Sequence, residues 1–232
     1  MKVTYWSDYA CPYCYIGETH LKQAIKELGA DVEVEMKAFE LDPNASKEYV
    51  GPTVDRFAHK YGLTKGAAQA RIDGISELGH EAGLDFRYAE TRYTNTFDAH
   101  RLTKLAQEKD GDLVDRLSER LYHAYFAEEL ELADHAVLTK IAVEEGLNED
   151  EVRNVLDSDR YADEVRLDER EAQRYGVTGV PFFLLGRYGV PGAMSVENMK
   201  GALQKAMAEE QAAAPTQGMT CGPDGCRLED HR

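Results

Sequence analysis

No run of about 18 apolar residues occurs in the sequence, so no segment reads as a membrane-spanning helix. Basic residues are scarce: 27 Lys and Arg stand against 43 Asp and Glu, a formal net charge of −16. A protein that tracks nucleic-acid phosphates needs a basic footprint, so this balance argues against nucleic acid and against an anionic membrane surface as partners. The opening residues, MKVTYWSDYACPYC, enter a β-like stretch at once and lack the apolar core of a signal peptide. A reducing cytoplasm is therefore the expected location. Cysteine is sparse as well, with four in 232 residues, and they fall in two close pairs, Cys11/Cys14 and Cys221/Cys226. In a reducing compartment such pairs are more often catalytic or metal-binding than structural staples. What is present, 43% apolar and 30% charged residues, suits an ordinary soluble globular chain, long enough for one substantial core or for a domain and a subdomain.

KVTYW is β-prone and is followed by the first Cys pair, then by a helical pattern in which Leu21, Ala24, Ile25 and Leu28 share a face that Gly29 can end. DVEVEMKAF alternates Val32, Val34, Met36 and Ala38 with charged residues, as a half-buried strand does. LDPNAS breaks this β-α-β unit, and helical signals then dominate. Val54, Phe57, Ala58 and Tyr61 lie on one face closed by Gly62, while Thr64, Thr96, Asp134 and Asn148 stand where helices begin. Asn148 has Glu151 three residues on, as in a capping box. A charged helix is expected from about Asp159 to Tyr175, ended by Gly176. VPFFLLGRYGVPG reads as two short strands joined around Gly186-Arg187, and SVENMKGALQKAMAEEQ as a closing helix. The expected class is therefore α/β, a thioredoxin-like fold (β-α-β … β-β-α) interrupted by a large all-helical insertion. Its parts are residues 1–42, the insertion 43–158, residues 159–212, and a tail 213–232 carrying the second Cys pair.

The first pair sits at the junction of a strand and a helix. A thiolate is the nucleophile in thiol chemistry, and helix N-termini and C-x-x-C motifs favour it. Pro12 fits the first helical turn, where its missing N–H costs nothing, and Cys11 then meets the positive end of the helix dipole. Cys14, one turn on, can attack a mixed disulfide formed at Cys11. This makes Cys11 the expected nucleophile and Cys14 the resolving residue, with Pro12 and Tyr13 tuning the reduction potential. A structural staple would close only a tiny loop, worth about 2 kcal/mol in the chain-entropy model. A zinc half-site would need two further ligands. Val180-Pro181, just before the late hairpin, reads by itself as an ordinary proline at a strand start.

Together, SDYACPYCYIG, NTFDAHRL and YGVTGVPFF…GVPGA resemble the DsbA family of the thioredoxin superfamily, in particular its cytoplasmic FrnE-like dithiol–disulfide oxidoreductases or isomerases. The resemblance covers roughly residues 1–212. It implies that Val180-Pro181 is a cis-proline loop facing Cys11, that the backbone before this proline pairs with a bound substrate chain, and that the proline keeps metals off the cysteines. It also implies that the helical insertion covers the active site, with Asn95, Thr96, His100 and Arg101 facing the cleft. By their own pattern, Asn95 and Thr96 read equally as a helix cap, and His100 and Arg101 as its decoration. His20 reads as a surface residue and LYHAYF as core with His123 at its edge. Neither a metal nor a resident cofactor is expected, while glutathione stays open as a cosubstrate. The expected partner is a disulfide- or thiol-containing protein or small molecule. Two rival activities are a glutathione-dependent isomerase or transferase, similar to 2-hydroxychromene-2-carboxylate isomerases and kappa-class transferases, and a redox-regulated holdase using the helical lid. The first of these typically has serine where Cys11 stands, so Cys11 with Cys14 favours disulfide exchange. Met194 stands where the DsbA family often has glutamine.

CGPDGC places turn-forming residues between Cys221 and Cys226, so these thiols can approach one another. Three readings stand: an auxiliary redox pair that exchanges with or protects Cys11–Cys14, incidental cysteines in a tail, or a metal site completed by Asp224 and His231.

Overall fold

The computed structural model of the chain describes residues 1–109, 111–213, 219–222 and 225–228. Its centre is a four-stranded sheet in the order β2 (Glu33–Ala38), β1 (Lys2–Ser7), β3 (Phe182–Leu185), β4 (Tyr188–Pro191). β1 (Lys2–Ser7) and β2 (Glu33–Ala38) run parallel, joined by the crossover helix α1 (Pro12–Leu28). Gly29 ends α1 in the left-handed conformation, φ 58°, which is open to a residue without Cβ. β3 (Phe182–Leu185) pairs antiparallel with β1, so strands far apart in sequence share one register: Tyr5 lies opposite both Met36 and Phe183. β4 (Tyr188–Pro191) completes the hairpin around Gly186-Arg187.

Alternation along these strands splits the core between two faces. Val3, Tyr5, Met36, Phe183 and Leu185 pack into the large cluster together with α1 and the closing helix α9 (Val196–Ala213). Trp6, the sequence's one tryptophan, points the other way and packs with Ala172 and Val177, and its indole N–H donates to the Asp168 carbonyl at 3.0 Å. That contact fixes α8 (Ala162–Arg174) on the sheet's second face. α8 begins later than its charge pattern suggests, because Tyr161 takes a left-handed φ of 64° and buries its ring before the helix starts.

Among the described residues, six further α-helices lie between β2 and α8: α2 (Thr53–Tyr61), α3 (Lys65–Glu81), α4 (Phe97–Gln107), α5 (Gly111–Phe126), α6 (His135–Glu144) and α7 (Glu149–Leu156). Local capping chemistry sets several of their starts. Thr64 accepts from Ala67 N, Asp134 from Ala136 N, and Asn148 from Glu151 N. The block is joined to α1 by aromatic rings: Tyr15 stacks on Tyr122 at 4.8 Å and on Phe126 at 5.9 Å. α3 comes close enough to Phe86 that a Cβ on Gly79 would lie 2.3 Å from the ring, so only glycine fits there.

Near the C-terminus, where the sequence suggests a tail, β5 (Met219–Gly222) and β6 (Gly225–Leu228) form a separate antiparallel ladder. Its register sets Cys221 opposite Cys226.

Candidate active site

Cys11 is the residue before α1, with φ −93° and ψ 114°, and Pro12 occupies the first turn. The Cys11 N–H donates to Asp8 O at 3.0 Å, and its carbonyl accepts from Cys14 N at 3.1 Å. Strand, tight turn and helix thus hold the nucleophile candidate from both sides. Both thiols are free and buried, Cys11 at 3% exposure and Cys14 at 1%. The Cys11 thiol donates to the carbonyl oxygen of Val180 at 3.5 Å, and the Val180–Pro181 peptide is cis. Gly17 allows this approach of helix and loop, since a Cβ there would lie 3.2 Å from both Pro181 and Phe183.

Burial pushes the Cys14 thiol well above its ordinary range, and the neighbouring Cys11 reinforces the shift, while Ser7 and the Asp8 backbone oppose it. Ser7 itself shares a short hydrogen bond, 2.5 Å, with the Tyr122 hydroxyl. Cys11 and Tyr13 line a cavity of about 440 Å³ between the start of α1, Val180 and the inner faces of α2 and α3; Cys14 lies outside its lining. Tyr13 is exposed beside it, at 42%.

Asp8, three residues before the nucleophile candidate, organises the surrounding loops. Its Oδ1 accepts from Thr96 Oγ1 at 2.8 Å and from Ala10 N at 3.3 Å, and its Oδ2 accepts from Leu41 N at 2.7 Å. His100 Nε2 lies 3.7 Å from Oδ1. Burial alone would raise this carboxyl, yet His100, Leu41 N and Thr96 together hold it below the usual carboxylate range. Asp8 lies within SDYACPYCYIG, where no local pattern marks this role.

Four residues expected to face the cleft do not line the cavity. Asn95 is buried, donates to Glu40 Oε1 at 3.1 Å and accepts from Phe97 N at 2.9 Å. It therefore caps α4, while the Thr96 hydroxyl is drawn away to Asp8. His100 lies behind the Cys loop, its ring 5.0 Å from that of Tyr9. Arg101 is buried and turned towards the end of α7, where its guanidinium donates to Asp98 Oδ1 and to the carbonyls of Val155, Ser158 and Arg160. A buried guanidinium needs acceptors for its N–H groups, and Asp98 with these three carbonyls supplies four. His20 is half-buried rather than free on the surface, bonded through Nδ1 to Met194 O at 2.7 Å. His123 sits at the core's edge, bonded to Glu128 at 2.9 Å.

The side chains of Cys221 and Cys226, together with Asp224 and His231, lie outside the described residues, so the three readings of that pair stand as they were. Among the described residues, no group of three or more His, Cys, Asp or Glu side chains is placed to hold a metal ion, and no helix is long and apolar enough to cross a membrane.

A β-α-β … β-β-α sheet that opens its first helix on two free thiols is a thioredoxin-like domain, here carrying a helical block. The chain belongs to the family of the DSBA-like thioredoxin domain, which matches residues 2–204. It is similar to a probable DsbA oxidoreductase from Streptomyces coelicolor, with 40% identity, a TM-score of 0.86, and coverage of 99% of this chain and 100% of that one. The Bacillus subtilis (strain 168) protein YwbO is 29% identical over 212 residues, spanning 89% of this chain and 95% of its own. The cytosolic disulfide reductase DsbM from Pseudomonas aeruginosa, in a structure with GSH, shares the fold at 18% identity and a TM-score of 0.60, over 91% of this chain and 98% of that one.

Proposed function

We propose that the chain is a dithiol–disulfide oxidoreductase of the cytoplasmic FrnE-like branch, acting on disulfide- or thiol-bearing polypeptides. The observation that carries this reading is the arrangement of Cys11 alone at the cavity wall, with Cys14 buried one helical turn behind it. In the reducing direction, the Cys11 thiolate attacks a substrate disulfide. A Cys11–substrate S–S bond forms, the substrate bond breaks, and the leaving sulfur takes a proton from solvent. Cys14 gives up its proton and attacks the Cys11 sulfur, releasing the second substrate thiol and closing Cys11–Cys14. Two electrons pass to the substrate, and the same steps reversed oxidise a dithiol.

The positive end of α1 faces the Cys11 sulfur wherever it carries negative charge, both before attack and when displaced by Cys14. Burial keeps Cys14 protonated until the mixed disulfide is in place, which restrains premature attack. No resident cofactor enters this scheme, because the cysteine pair carries the electrons. Insulin reduction with a small dithiol as electron donor tests the reading: activity in the native protein and its loss in Cys11→Ser support it, and absence of activity in the native protein contradicts it.

A further inference from the structure

The cavity in front of Cys11 is lined by Arg56, Lys60 and Arg71, and by no Asp or Glu. This is unexpected in a chain of net charge −16. Many of its other Lys and Arg side chains are paired with carboxylates, and nearby Asp55 gives its carboxylate to Lys65 at 2.7 Å. Among the described residues, Arg56, Lys60 and Arg71 form no ion pair. Arg56 is also held in place: its guanidinium lies 3.9 Å over the Tyr93 ring, and its Nε is buried without a hydrogen-bond partner. A fixed cation with an unmet donor, beside two exposed cations, leaves positive charge concentrated on the wall opposite the nucleophile. Phe57, Ile75 and Leu78 give that wall an apolar surface between the charges.

We propose that this α2–α3 wall is a specificity subsite for polypeptide disulfides whose cysteine is flanked by Asp or Glu. The apolar surface takes a neighbouring aliphatic or aromatic side chain, and the three cations take the carboxylates. The proposal rests on the reading that Cys11 exchanges with disulfides, and it adds the class of disulfide selected. The chemical step is unchanged: Cys11 bonds to one substrate sulfur, the other leaves as a thiol, and Cys14 completes the two-electron transfer. The cations act by holding the substrate and take no part in bond making.

The test uses the pre-reduced full-length protein carrying Cys221→Ser and Cys226→Ser in single turnover, so that Cys11 and Cys14 are the only reductant. Three disulfide-linked peptides serve as probes, identical except that Glu, Gln or Lys flanks the cysteine. The native protein is expected to reduce the Glu peptide about tenfold faster than the Lys peptide at low salt, with Gln between, and to lose most of that ratio in 0.5 M salt, about where the Debye length falls to a few ångströms. In the R56Q/K60Q/R71Q variant the Glu-to-Lys ratio falls towards one. The K60Q/R71Q double variant changes only exposed side chains, so it guards against misfolding caused by loss of the Arg56–Tyr93 stack; its ratio falls part of the way. Lys26→Gln, an exposed change on α1 away from the cavity, keeps the full ratio and controls for overall charge. Equal rates for the three peptides, or a ratio that survives the triple and double variants, overturns the subsite. Failure of the native protein to reduce any of them overturns the disulfide-exchange reading itself.

Discussion

The Cys11 sulfur meets the carbonyl oxygen of Val180 at 3.5 Å, across 169 positions of sequence. The contact joins the start of α1 to the strand hairpin that closes the sheet, and it puts one sulfur of the pair at the cavity wall. Cys14 has no such opening. Alkylation of the reduced protein with iodoacetamide should therefore modify Cys11 at least about tenfold faster than Cys14, read by peptide mass. Equal rates would show that the two thiols are equally accessible.

The raised affinity of Cys14 for its proton has a consequence for stability. A thiol held protonated in the folded state contributes stability that is fully present below the unfolded-state value of about 8.5 and is lost as pH rises beyond it. The reduced protein should thus lose stability above about pH 8.5, on the thiol scale of unfolded chains. The oxidised protein, which has no Cys14 proton to lose, should lack that part of the alkaline decline. Denaturant midpoints of both forms from neutral to alkaline pH measure the difference.

Asp8 acts with the opposite sign. Its carboxyl is held below the usual range, so its contribution is present above about pH 4, the unfolded-state value, and declines as pH falls through that value and below. Asp8→Asn should cost about 1–3 kcal/mol at neutral pH, since buried donors lose a charged acceptor. It should also flatten the acid limb of the stability curve. An acid limb identical to that of the native protein would contradict the assignment.

Arg101 distinguishes support from substrate contact. Its guanidinium joins α4 to the end of α7 through Asp98 and three carbonyls. Arg101→Ala should destabilise the fold by about 3–5 kcal/mol, the usual consequence of leaving a buried partner unpaired. The surviving folded protein should keep its KM for disulfide peptides. A raised KM without loss of stability would restore Arg101 to the cleft.

The strand–helix–strand unit, the hairpin and the helix caps at Thr64, Asp134 and Asn148 were legible because their signals are local: alternation, turn residues, and an acceptor two or three residues before a free N–H. The placement of Cys11 and Cys14 at the strand–helix junction was legible for the same reason. The surroundings of the site were not. Whether Thr96 caps its own helix or turns to Asp8, and whether Arg101 faces solvent or the carbonyls ending α7, depends on elements more than fifty residues apart. The cations at Arg56, Lys60 and Arg71 carry no local mark either, because a charged residue on a helix looks the same whether or not a carboxylate waits across the gap.

The central claim is that Cys11 attacks and Cys14 resolves. Cys14→Ser, offered a disulfide peptide under anaerobic conditions, should accumulate a mixed disulfide, and mass mapping should place the peptide on Cys11. Cys11→Ser under the same conditions should accumulate none on Cys14. A peptide found on Cys14 in the Cys11→Ser variant at a comparable rate, or no adduct in either variant, would contradict the account.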